Sequence, residues 1–165
     1  MFRVEVASLS LDPGSREPVL ILKKADGDEA IPMVIGHLEA AGIAASLREN
    51  KGKRPLTHDL FANFIREAGY RLIRSEVLDL EDGIFYARIF LGSDEEDAFF
   101  MDARPSDAVA LALRFDAPIF MESQVFEKWH DMDKESAMEP FDTSDEGKKW
   151  TDLLEKMETE RFGHA

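Results

Sequence analysis

Two short stretches carry the side chains most able to do chemistry: Arg54-Pro55-Leu56-Thr57-His58-Asp59 and Arg104-Pro105-Ser106-Asp107. Each sets an arginine immediately before the start of an expected helix. Backbone N–H groups and the helix dipole favour an anion there, and a guanidinium adds a planar, bidentate partner for phosphate. The same arginines also suit a structural role, pairing with Asp59, Asp102 or Asp107 to fix the start of the helix. His58 falls in a first turn, where the dipole disfavours the cationic imidazole and leaves the neutral form that serves as base or ligand. His37 stands at an earlier helix start with less support around it. Glu39, Asp59, Asp102 and Asp107 lie beside the same helix starts. Gathered, such carboxylates suit a divalent ion such as Mg²⁺ or Mn²⁺, as phosphodiester chemistry often requires; taken singly, each suits a helix cap. The candidate roles are therefore catalysis by His58, Arg54, Arg104 and Asp107, substrate contact by Arg54, Thr57, Arg104 and Ser106, and metal binding by Glu39, Asp59, Asp102 and Asp107. The chain has no Walker loop, no Gly-x-Ser-x-Gly, no His-Glu-x-x-His and no aromatic-basic strand of the common RNA-binding type.

The elements that must position these residues follow from turn chemistry and apolar periodicity. Residues 2–11, 17–24 and 29–35 read as strands of a meander, parted by Asp12-Pro13-Gly14 and Asp26-Gly27-Asp28. In the first strand the apolar phase moves from Phe2, Val4 and Val6 to Leu9 and Leu11, which predicts a bulge near Ala7-Ser8. After Gly36, the spacing of Leu38, Ala41 and Ala45 suits a small-residue helix packed on the sheet. A second helix is expected from Thr57 as N-cap, with Asp59 in its first turn, Leu56 and Phe61 as a staple, a buried stripe of Leu60, Phe61, Phe64, Ile65 and Ala68, and Gly69 at its end. Strands at 71–80, 84–91 and 97–103, a helix at 106–115 and a short strand at 118–121 then repeat the first order. The fold class is α+β: two strand-strand-strand-helix units, offset by about 68 residues and read as a possible duplication, with a connecting helix and a helical tail. The domain occupies residues 1–130. Residues 131–145 read as an acidic linker, and an amphipathic helix capped by Ser144 places Trp150, Leu153, Leu154 and Met157 on one face. Such a helix is expected to dock on its own or a neighbouring subunit.

Composition narrows the partners. A net charge of −14 repels phosphate on average, so any nucleic-acid site must be local. There is no apolar run long enough to span a bilayer, no signal-peptide pattern and no cysteine, so the expectation is a cytoplasmic chain without disulfides, thiolate sites or membrane contact.

Pro32-Met33-Val34-Ile35-Gly36-His37-Leu38-Glu39-Ala40, RPLTHDL at 54–60, Phe85-Tyr86-Ala87, DARPSDAVALALR at 102–114 and APIF at 117–120 occur in that order. Over about residues 2–130 the chain thereby resembles the bifunctional nuclease domain family of bacteria and plants. Arg54, Thr57, His58, Asp59, Asp102, Arg104, Ser106 and Asp107 match its motifs as they stand. The resemblance implies an α+β domain, a homodimer, and DNase and RNase activity on a nucleic-acid partner. The competing expectation is a noncatalytic binding or oligomerisation module, in which the same residues are caps and ion pairs.

Overall fold

The computed structural model describes residues 1–47 and 53–136, with the side chains of 133–136 left aside. Strands β1 (Phe2–Leu11), β2 (Pro18–Lys24) and β3 (Ala30–Val34) are followed by helix α1 (His37–Leu47). Helix α2 (Thr57–Glu67) leads to β4 (Arg71–Glu81), β5 (Ile84–Gly92), β6 (Phe99–Ala103) and helix α3 (Pro105–Phe115). The short strand β7 (Ile119–Met121) and helix α4 (Ser123–Ser136) complete the described chain. The strands form one mixed sheet in the order β3-β2-β1-β7-β4-β5-β6. The fold is therefore α+β, as the sequence predicts, and its strand-strand-strand-helix order occurs twice. The two meanders are not paired with each other; β7 lies between them, antiparallel to β1 and parallel to β4.

Local chemistry explains the joints. Asp12 accepts the Ser15 N–H at 2.6 Å in the first turn. Asp82 and Gly83 both take positive φ, as a two-residue hairpin joining β4 to β5 requires. The predicted bulge appears as a register shift between Val6 and Ser8, and β4 carries two further shifts, at Leu72/Arg74 and Val77/Asp79. The core is continuous from the sheet into the helices. Helix α3 buries Ser106 and Ala108, Val109, Ala110, Leu111 and Ala112, while α1 buries Ala40, Gly42, Ile43 and Ala44. Small residues on both helices let their backbones approach, which brings α1 to the starts of α2 and α3.

Helix α2 departs from expectation. Its N-cap is Leu56, in an extended conformation, and Thr57 is the first helical residue. The cap is supplied instead by Asp59, whose carboxylate accepts the Leu56 N–H at 2.8 Å. The buried face also differs: Leu60 and Phe64 are 64% and 66% exposed and Ala68 is exposed, whereas Ala62 and Ile65 are buried. The inward stripe is His58, Phe61, Ala62 and Ile65, spaced i, i+3, i+4, i+7. A helix lying on other helices buries only a narrow face, so half of its apolar residues stay outside, and the register places His58 inside.

The stretch 131–136, expected as the start of a linker, is the last part of α4. That helix is anchored by buried Val125 and Phe126 and by Trp129, which stacks on Phe85 with ring centroids 6.4 Å apart. Ser144, Trp150, Leu153, Leu154 and Met157 lie outside the described residues. Among the described residues no helix is long and apolar enough to cross a membrane.

Candidate functional site

The start of α3 organises a four-residue cluster. Asp107, in its first turn, receives the Arg104 guanidinium through two hydrogen bonds, Nε to Oδ2 at 2.7 Å and Nη2 to Oδ1 at 3.1 Å. From the first turn of α2, His58 Nε2 lies 2.9 Å from Asp107 Oδ1. Glu39, from the first turn of α1, pairs with Arg104 Nη1 at 2.8 Å. Three helix starts far apart in sequence thus meet through one arginine and one aspartate. Burial raises the Asp107 carboxyl, but hydrogen bonds from Arg104 and His58 outweigh it and hold the group below the ordinary aspartate value. The hydrogen bonds to Asp107, and after them the carboxylate of Glu39, correspondingly raise the pKa of the Arg104 guanidinium.

The imidazole is used on both sides. Its Nδ1 faces Gly42: a Cβ built on that glycine would lie 2.9 Å from the nitrogen. Gly42 is thus the only fit for close passage of the ring over α1. With Nε2 on Asp107 and Nδ1 against Gly42, His58 is a joint between helices rather than a base aimed at open space. Arg104 is the opposite case, with 65% of its side chain exposed despite two carboxylate partners.

A second arginine lies behind this cluster. Arg114, in the last turn of α3 and only 7% exposed, donates to Asp59 Oδ1 at 2.6 Å, to the carbonyls of Gly42 at 3.2 Å and Ala110 at 2.9 Å, and to Ser46 Oγ. It ties all three helices together and fixes the glycine on which His58 rests. A basic residue in a last turn reads from sequence as a partner of the helix dipole, which hides the role of Arg114. The available signal was spacing: Arg114 follows Asp107 by seven residues, and Glu39, Gly42 and Ser46 share a face of α1.

Of the sequence candidates, Glu39, His58, Arg104 and Asp107 come together. Asp59 is engaged with Arg114 and its own helix cap. Arg54 and Thr57 are exposed, and Arg54 makes no ion pair among the described residues. Ser106 is buried and makes none of the cluster's contacts. Asp102 lies on β6 opposite Arg88, exposed and apart from the cluster. Among the described residues, no three His, Asp or Glu side chains gather as a metal-binding set. Glu39, Asp59 and Asp107 are each bound by a guanidinium, so these residues, as arranged, do not fit a resident divalent ion.

Comparison with known proteins gives the family. The chain is 38% identical over 125 residues to an uncharacterized protein of Mycobacterium tuberculosis strain H37Rv, covering 76% of this chain and 74% of that one. It is 25% identical over 114 residues to bifunctional nuclease 1 of Oryza sativa subsp. indica and 24% identical over 103 residues to bifunctional nuclease 2 of Arabidopsis thaliana. Those alignments cover 67% and 61% of this chain but only 34% and 31% of the plant proteins. The model of the bifunctional nuclease domain matches residues 20–132, which include every residue of the cluster, and the chain belongs to that family.

Proposed function

We propose that this chain is a nuclease that hydrolyses phosphodiester bonds of DNA or RNA at the cluster around Asp107. The supporting observation is the junction itself: Arg104, exposed, and His58, held, share one carboxylate. A backbone phosphate competes with Glu39 and Asp107 for the Arg104 fork, a bidentate match for either anion. Arg54, exposed beside the start of α2, supplies a second cation for the neighbouring phosphate. When Arg104 turns to the substrate, Asp107 Oδ2 is released while Oδ1 stays on His58, and the freed oxygen accepts a proton from the water that attacks phosphorus; the P–O bond to the leaving sugar oxygen breaks, and that oxygen takes its proton from solvent. In this arrangement His58 orients the base instead of being it. The overall charge of −14 opposes nucleic acid, so binding at this site rests on the two guanidiniums of Arg104 and Arg54.

The test is cleavage of single- and double-stranded DNA and RNA by purified protein, with and without Mg²⁺ or Mn²⁺. Arg104→Ala and Asp107→Asn are expected to lower the rate by roughly a hundredfold or more. A wild-type protein that cleaves none of these substrates, or variants that cleave equally well, would overturn the reading.

One observation favours a noncatalytic module instead: Glu39 and Asp107 already have cation partners and His58 Nδ1 packs on Gly42. In that case the same assay shows no cleavage of any substrate, and a gel-shift measurement with the same nucleic acids tells a binding module from one that does not bind them.

A further inference from the structure

The helices explain the burial of one face of the sheet and leave the other unexplained. Along β1 to β3, Leu9, Leu20 and Met33 pair across the strands and point at the helices, within the main core. The alternate positions point the other way: Ser8 pairs with Ile21, Ile21 with Pro32, and Val19 lies two residues along β2. Buried residues of all four helices belong to the single core on the first face, so no helix among the described residues covers the second. A sheet face left to water carries polar side chains. Yet Val19 is 0% and Ile21 2% exposed, Pro32 is buried, and neither Val19 nor Ile21 belongs to the helical core. Ser8 Oγ is likewise sealed off, without a hydrogen-bond partner among the described residues. Strand β2 is thus buried at every position from Pro18 to Leu22, the pattern of a strand held between two layers. The β1–β2 turn does not supply the second layer, because residues 13–17 are themselves exposed. The cover is also bounded, since Val34, directly across from Val19 on β3, is 59% exposed.

We propose that the C-terminal segment of the same chain, residues 137–165, is this second layer and lays Trp150, Leu153, Leu154 and Met157 on Val19, Ile21 and Pro32. The burial is complete within one chain, so it needs no second copy. Two stretches of the chain lie outside the described residues. Residues 48–52, Arg48-Glu49-Asn50-Lys51-Gly52, hold no large apolar side chain and join α1 to α2 on the helical side. Residues 137–165 hold the apolar side chains that such a layer requires, and the spacing of 150, 153, 154 and 157 puts four of them on one helical face. The point of departure also fits. His130 of α4 lies 3.5 Å from Glu29, between β2 and β3, so α4 passes that hairpin about 9 Å before its end. From there, the stretch 137–149 can span up to about 40 Å, whereas three paired strands are only about 10 Å wide. An apolar stripe without a surface and an apolar surface without a described cover answer each other. This inference stands whether or not the protein cleaves nucleic acid.

The experiment is methyl NMR on the full-length chain, reading the nuclear Overhauser contacts of the Val19 and Ile21 methyl groups. A sample that mixes labelled with unlabelled copies separates contacts within a chain from contacts between chains. Wild type is expected to show contacts from both methyl-bearing residues to the side chains of Trp150, Leu153 or Leu154 of the same chain. Leu153→Asp combined with Leu154→Asp is expected to abolish them and to move the Val19 and Ile21 resonances, while those of Val109 and Leu111 in the helical core stay in place. Leu60→Asp, at an exposed position of α2, is expected to move neither set. Methyl groups that contact no residue beyond 136 overturn the proposal. Contacts found only between copies also overturn it, by assigning the cover to a second chain, as does a double variant that leaves Val19 and Ile21 unmoved.

Discussion

Glu76 in the sheet and Asp107 at the helix starts are both carboxylates held by two cationic or potentially cationic side chains, yet their surroundings differ. Only 3% of the Glu76 side chain is exposed, and it accepts from Arg74 Nε at 2.7 Å and Arg88 Nε at 2.8 Å. Each of those guanidiniums also lies over an aromatic ring, Arg74 over Phe90 at 3.8 Å and Arg88 over Phe90 and Phe100 at 4.9 and 5.5 Å. A buried charge, two partners and ring faces leave little to exchange. At Asp107 the partner Arg104 is two-thirds in water, so its ion pairs are individually weak and a soluble anion can replace them. The same residue types form a lock where the backbone of adjacent strands buries them and a contact surface where helix ends meet solvent.

This contrast breaks first at Glu76. Glu76→Ala leaves two guanidiniums on the sheet without their carboxylate and is expected to cost about 3 kcal/mol in a urea titration, the lower end for a broken buried pair because both arginines reach water. A loss below about 1 kcal/mol would place the two clusters in one class. Next in size is Gly42→Ala. The added methyl meets His58 Nδ1 at 2.9 Å, and the expected destabilisation is about 1–3 kcal/mol, with a shifted His58 ring resonance by NMR. An unchanged resonance would show that the ring does not rest on this glycine.

Arg104→Gln is a smaller perturbation, expected within about 1 kcal/mol at neutral pH because the side chain is exposed. Its signature is pH dependence. The folded Asp107 pKa is depressed, so the stability it contributes is present above the unfolded value of 3.8 and is lost as pH falls through the lower folded value. With Arg104 gone, the depression shrinks, and stability measured from pH 6 down to 2 is expected to show a shallower decline than wild type. Identical pH profiles would remove Arg104 from the electrostatics of Asp107. The smallest effect is predicted for Thr57→Ala, within about 0.5 kcal/mol, since Thr57 is a first-turn residue and not the cap. Asp59→Ala is expected to cost about 1 kcal/mol or more, by losing the Leu56 N–H and a partner of Arg114. If thermal melts reversed that order, the cap would belong to Thr57 after all.

The sequence by itself determined the element order through β7, though not α4, together with the first bulge and the approximate starts of three helices, because these depend on neighbours in the chain. Asp-Pro-Gly and Asp-Gly turns, a phase change at Ala7-Ser8 and an arginine–proline pair ahead of α3 act over a few residues. It also put Glu39, His58, Arg104 and Asp107 on helix starts, where anions and caps are favoured. Only tertiary structure decided which of the candidates meet. Asp59 and Asp107 are equivalent by local chemistry, but the packing of α2 on α3 gives one to Arg114 and the other to His58. Burial of one face and not the other on α2 is likewise a property of what it lies on, so Leu60 and Phe64 remained outside although their types matched those inside. Sheet order is the largest such decision. It sets β7 between the two meanders, leaves β6 at an edge, and is fixed by long-range strand pairing that no local pattern encodes.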